Sequence, residues 1–139
     1  LELATKDLVH LPEFAAVISS DALIGRLLTI EGNAQGRKHI MLLSHPESKI
    51  PVQIGENGIQ AMLAGQGHRI ARLEYQQRSL TDIKVGDQVL SSRFSRYLPT
   101  GLNIGVVKSI NESEITVALA FDPDLLRYIG VISAKTGRP

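Results

Sequence analysis

The sequence contains no cysteine and no tryptophan, and only 4% of its residues are aromatic. Without cysteine there is no disulfide and no thiolate metal ligand. Scarce aromatics argue against a platform on which nucleic-acid bases stack. An excess of one charge is missing as well. Fifteen Lys+Arg against 14 Asp+Glu leave a formal +1, so no strong field draws nucleic acid or anionic lipid. No apolar run approaches the ~18 residues that a membrane-spanning helix needs, and no charged and apolar leader precedes Leu1. Because the chain opens on leucine within the strand-like Leu1-Glu2-Leu3-Ala4, it reads as a fragment of a longer protein.

What remains is an ordinary folding composition. At 43% hydrophobic and 21% charged, the chain is too apolar for disorder. Its 139 residues suffice for one domain, or for two small barrels sharing a core. Short apolar alternations dominate. Ile50, Val52 and Ile54 alternate with Pro51 and Gln53, and Ala71, Leu73 and Tyr75 alternate with Arg72 and Glu74. Ile115, Val117, Leu119 and Phe121 form a third such row. A period of two sends one face to a core and the other outward, which predicts strands. Residues 23–30 and 39–44 are more continuously apolar and predict strands buried on both faces. Pro51 inside a strand pattern marks an edge or a bulge. Loops are predicted at 31–36, 55–58, 65–67 and 111–113. One short helix is predicted over 122–129, opened by Asp122 and Pro123 and closed by Gly130, with a further turn near 7–13. The expected class is all-β.

Residues 81–105, TDIKVGDQVLSSRFSRYLPTGLNIG, carry the most information. Val85-Gly86-Asp87 supplies a turn into one strand, and Pro99 and Gly101 prepare a second. The loop between them holds Arg93, Phe94, Arg96, Tyr97 and Leu98, a mixture of cationic and large apolar side chains suited to touching another protein. In the alternative arrangement Phe94 and Leu98 fold inward and plug a barrel end.

Catalytic and metal patterns are weak. His10, His39, His45 and His68 match no zinc-ligand spacing. Ser91 and Ser92 lie outside any G-D-S-G or G-x-S-x-G context, and their expected role is hydrogen bonding between strand end and loop. Gly65-Gln66-Gly67-His68-Arg69 lacks the Gly-Lys-Ser/Thr ending of a phosphate loop and reads as a hairpin turn. No catalytic residue, cofactor or metal is expected. Two alternatives stand beside this: a degenerate double-barrel serine hydrolase, and an SH3- or OB-like nucleic-acid binder.

Val85, Gly86, Asp87, Val89, Ser91, Ser92, Pro99, Gly101, Leu102, Ile104, Gly105 and Val107 fall where the MreC family has V-G-D-x-V-x-[TS]-S-G and P-x-G-[ILV]-x-[VI]-G-x-V. Arg93, Ser95 and Arg96 replace frequent glycines. Ala22-Leu23-Ile24-Gly25-Arg26-Leu27, Leu42-Leu43-Ser44-His45, Ile50-Pro51-Val52 and residues 61–67 are similar to further family motifs in the same order. The closing P-x-x-D-L pattern is matched more loosely around Asp122-Pro123-Asp124-Leu125.

The resemblance to this rod-shape-determining family implies two small β-barrels, one inserted in the other. Residues 1–21 and 76–134 would form the first, 22–75 the second, and 135–139 a tail. It implies a non-enzymatic scaffold of the bacterial cell-wall elongation machinery, placed on the periplasmic, extracytoplasmic face. Its implied partners are a penicillin-binding transpeptidase, further copies of itself, and MreD, RodZ and an MreB-linked complex. Nucleic acid is not among them, and the inner membrane is reached only through an N-terminal helix and coiled coil preceding this chain.

Overall fold

A computed structural model describes residues 15–19, 21–29, 38–74, 82–95, 98–112, 114–121 and 130–132. Every regular element among them is a strand. The expected helix over 122–129 and the turn near 7–13 lie outside the described residues, as do the 31–36 loop and the opening strand pattern.

Among the described residues ten strands follow one another: β1 Ala16–Ser19, β2 Ala22–Thr29, β3 Lys38–Leu42, β4 Lys49–Ile54, β5 Ile59–Ala64, β6 Ile70–Glu74, β7 Gln88–Ser91, β8 Asn103–Asn111, β9 Glu114–Leu119 and β10 Gly130–Ile132. Six of them close on themselves in the order β8-β7-β4-β5-β6-β9, with β9 pairing back onto β8. Every pairing around this barrel is antiparallel. Closure removes the exposed hydrogen-bonding edges that an open sheet presents.

The alternation read from the sequence fills this barrel. Ile50, Val52 and Ile54 of β4 point inward together with Ile59, Ala61 and Leu63 of β5. Ala71, Leu73, Val89, Ile104, Val107, Ile115, Val117 and Leu119 add to the interior from β6, β7, β8 and β9. Turns form where glycine permits them: Gly86 at φ 95° opens β7 and Gly101 at φ 86° precedes β8, both in the region that side chains with a Cβ avoid.

The other four strands form a second group in the order β10-β1-β2-β3, joined to the barrel where Ala22 of β2 lies parallel to Asn103 of β8. Its apolar residues, including Val17, Leu23, Ile24, Leu27 and Ile40, belong to the same continuous core as the barrel's. The two groups do not follow the chain segments read from the sequence. The closed barrel takes β4, β5 and β6 from residues 22–75 and β7, β8 and β9 from 76–134, and the second group also mixes the two. Long-range pairing of β4 with β7 and of β6 with β9 is what joins them.

Strand β2 is buried over Ala22–Gly25 and at Leu27, as expected of a strand covered on both faces. Over 39–44 burial is mixed: Ile40, Leu43 and Ser44 are buried, while His39, Met41 and Leu42 are half-buried. Among the described residues β3 pairs with β2 alone, so one of its edges lacks a strand neighbour.

Candidate functional site: the β7–β8 loop

The loop from Ser92 to Leu102 is fastened to the barrel by two serines. Ser91 ends β7 with 0% exposure. Its hydroxyl donates to the Pro99 carbonyl at 2.6 Å and accepts from the Leu102 amide at 2.8 Å. Its backbone carbonyl accepts from the Gly101 amide at 3.0 Å. Ser92, also 0% exposed, donates its hydroxyl to Gln60 Oε1 at 2.5 Å and accepts from the Phe94 amide at 2.9 Å. Each hydroxyl thus gives its single proton to a carbonyl oxygen rather than to a base, which is the arrangement of a structural tie and not of a nucleophile.

Pro51 decides where the ladder stops and the loop starts. Val52 faces Ser91 across β4 and β7, so Pro51 stands opposite Ser92, and the Pro51 carbonyl accepts from the Ser92 amide at 3.2 Å. A residue's N–H and C=O point to the same side of a strand, so any other residue at 51 would also donate to the Ser92 carbonyl. Proline has no N–H to give. The Ser92 carbonyl instead accepts from the Ser95 amide at 3.2 Å, which bends the chain away from β4. The anomaly that Pro51 presents in the sequence is therefore a stop to the β4–β7 ladder at the base of this loop, while β4 itself continues through it paired with β5.

The large side chains of the loop divide. Leu98 is 5% exposed and joins the core, while Phe94 is 62% exposed. Of the two expected plug residues only Leu98 goes inward, and as a core residue it is not a surface anchor. Arg93 is exposed and lays its guanidinium 4.9 Å from the centroid of the Phe94 ring, within cation–π range. Arg96 and Tyr97 lie outside the described residues. Among these residues three large apolar side chains are exposed, Val85, Phe94 and Val106, and Phe94 is the aromatic one.

The histidines do not converge. His45 and His68 are exposed, and each accepts a backbone amide two residues ahead through Nδ1, from Glu47 at 3.0 Å and from Ile70 at 3.2 Å. They are turn acceptors, and His39 is half-buried on β3. No group of three or more potential ligands gathers among the described residues, and His10 is outside them. A polar cleft of about 240 Å³ lies at the β4–β5 turn, lined by Glu56, Asp82, Lys84 and Asp87 among others. There Asp87 Oδ2 accepts the Lys84 amide at 2.9 Å and caps the turn into β7. Sequence reading missed Gln60, whose importance comes from a neighbour 32 positions away.

A family model described as rod shape-determining protein MreC, barrel core, matches residues 10–133. The chain belongs to the MreC family. A cell shape-determining protein MreC of Caulobacter vibrioides is 28% identical over 119 residues, covering 86% of this chain and 33% of that protein. The chain spans between a quarter and two fifths of the length of the curated MreC relatives it matches. The crystal structure of MreC from Pseudomonas aeruginosa shares the fold at a TM-score of 0.73 and 24% identity, over 87% of this chain and 80% of that one. MreC from Helicobacter pylori, solved in complex with the penicillin-binding protein PBP2, shares it at a TM-score of 0.70 and 22% identity, over 92% and 83%.

Proposed function

We propose that this chain is a non-enzymatic scaffold of cell-wall elongation on the extracytoplasmic side of the membrane, and that it docks a penicillin-binding transpeptidase through the β7–β8 loop. Membership of a shape-determining family and the H. pylori relative's complex with PBP2 support the partner class. The observation that carries the site is Phe94, an exposed ring stacked under Arg93 on a loop whose base is fixed by two buried serines. A preformed aromatic and cationic tip loses little conformational freedom on binding, and Phe and Arg are enriched where interfaces bury most surface. Arg96 and Tyr97, beside them in sequence, belong to the same proposed contact. Leu98 anchors the loop by its burial in the core. Self-association and contacts with MreD, RodZ and an MreB-linked complex belong to the same reading, the last three through parts of the protein outside this chain.

The test is binding of the 139-residue chain to purified PBP2 from the organism that encodes it. Phe94→Ala should weaken binding by roughly thirtyfold, the ~2 kcal/mol that defines an interface anchor. Arg93→Glu should weaken it as well, and the unsubstituted chain should lose affinity with added salt more steeply than Arg93→Ala. Unchanged affinity in Phe94→Ala and Arg93→Glu would remove the loop from the interface.

A further inference from the structure

We infer that Gln60 is a positioning residue for the Arg93–Phe94 pair, acting through a hydrogen-bonded strap that crosses the outside of β4. This rests on the docking role proposed for that pair. Gln60 is on β5 and Ser92 directly follows β7, and β4 lies between those two strands. Its neighbours Ile59 and Ala61 are buried in the barrel while Gln60 is half-buried, so its side chain leaves on the outer face. From there Oε1 reaches the Ser92 hydroxyl at 2.5 Å, bridging two strands that do not pair with each other. Nε2 donates to the Gly58 carbonyl at 2.9 Å, which orients the amide so that its oxygen faces Ser92.

The consequence runs to the loop tip. With its proton committed to Gln60, the Ser92 hydroxyl turns a lone pair toward the Phe94 amide and holds it at 2.9 Å. The Ser95 amide on the Ser92 carbonyl closes the same turn, leaving Phe94 directed outward under Arg93. Without the acceptor at position 60, the fully buried Ser92 hydroxyl must seek another oxygen, because a buried donor left unpaired is costly. Its rotation withdraws the lone pair from Phe94. The barrel wall therefore sets the presentation of the ring.

The experiment compares the unsubstituted chain with Gln60→Met, which keeps length but removes the acceptor, and with Phe94→Ala. It reads solvent exchange of the Phe94 amide, exchange of the β9 amides, and affinity for purified PBP2. In Gln60→Met the Phe94 amide should exchange about three- to tenfold faster and PBP2 affinity should fall by a similar factor, the worth of one net hydrogen bond. The β9 amides should keep their protection, which a general loss of barrel stability would not allow. Unchanged Phe94 exchange in a folded Gln60→Met overturns the strap. Faster exchange with unchanged affinity, where Phe94→Ala does weaken binding, overturns the positioning role. If Phe94→Ala leaves binding intact, the docking proposal fails and Phe94 exchange still decides the strap. Should β9 protection collapse in Gln60→Met, Ser92→Ala replaces it, and a folded Ser92→Ala with full PBP2 affinity overturns the inference.

Discussion

Leu98 and Phe94 stand four positions apart on one loop, yet one is sealed in the core and the other is mostly exposed. On the proposed docking role, they separate stability from recognition. Leu98→Ala removes buried methyl groups and leaves a hole in the core, so it should lower unfolding free energy by about 2–4 kcal/mol in a urea titration. Phe94→Ala takes away a ring that gains little from folding, and should leave the unfolding free energy within about 0.5 kcal/mol of the parent. The opposite ranking would show Phe94 to be the plug. Both side chains are visible in the sequence as large and apolar. Their opposite fates follow from hydrogen bonds that the sequence does not display: the Phe94 amide to the Ser92 hydroxyl, the Leu98 amide to the Ser95 hydroxyl, and the Gly101 amide to the Ser91 carbonyl.

Between strands, small chemical details decide where pairing ends. Pro51→Ala would supply an amide facing the Ser92 carbonyl, which should lengthen the β4–β7 ladder by one bond at the expense of the Ser95 amide. In amide exchange, Ser95 should become faster and the new amide at position 51 should be protected. Rapid exchange at position 51 would mean that proline is not what stops the ladder. A second detail ties β4 to β6 across β5. Glu74 of β6 bonds Arg72 at 2.6 Å and Lys49 of β4 at 3.2 Å. The hydrogen bonds from Arg72 and then from Lys49 hold its carboxyl below the usual 4.5. A carboxylate lowered by folding stabilises the fold above its unfolded value, and that contribution is lost as pH falls through the lower folded value. The melting temperature of the parent should therefore exceed that of Glu74→Gln near neutrality, and the two should converge as pH drops below about 4.5. A gap that persists in acid would assign the difference to packing.

At the scale of the whole molecule, the barrel depends on a close seam between β8 and β9. Gly105 pairs with Leu119 there, and a Cβ on it would run into the Ala118 carbonyl oxygen and approach the Leu119 Cα at 3.1 Å. Those neighbours are backbone and cannot rotate aside. Gly105→Ala should force the strands apart at a cost of about 1–3 kcal/mol, as overpacking does. Exchange should rise first in β8 and β9 while the β4–β5 hairpin keeps its protection. Equal loss everywhere would show that the six strands open as one unit with no weakest seam. Closure also accounts for how the chain segments mix, since each strand of the ring needs a partner on both sides and β4 and β6 find theirs in β7 and β9.

The sequence by itself determined the alternating strands of the barrel, the turns at 55–58 and 65–67, and the family, because these depend on side-chain period, glycine backbone freedom and ordered short motifs within a few positions. The alternation at Ile50, Val52 and Ile54 survives intact as the inner face of β4, and Ser91 and Ser92 tie strand to loop as their place at a strand end led one to expect. The tertiary structure alone decided which strands meet, where Pro51 ends a ladder, and which loop side chain faces outward. A barrel pairs residues far apart in the chain, and the burial it achieves sums over all of them. No local window contains Gln60 together with Ser92, or β6 together with β9, so their contacts arise only when the ring closes.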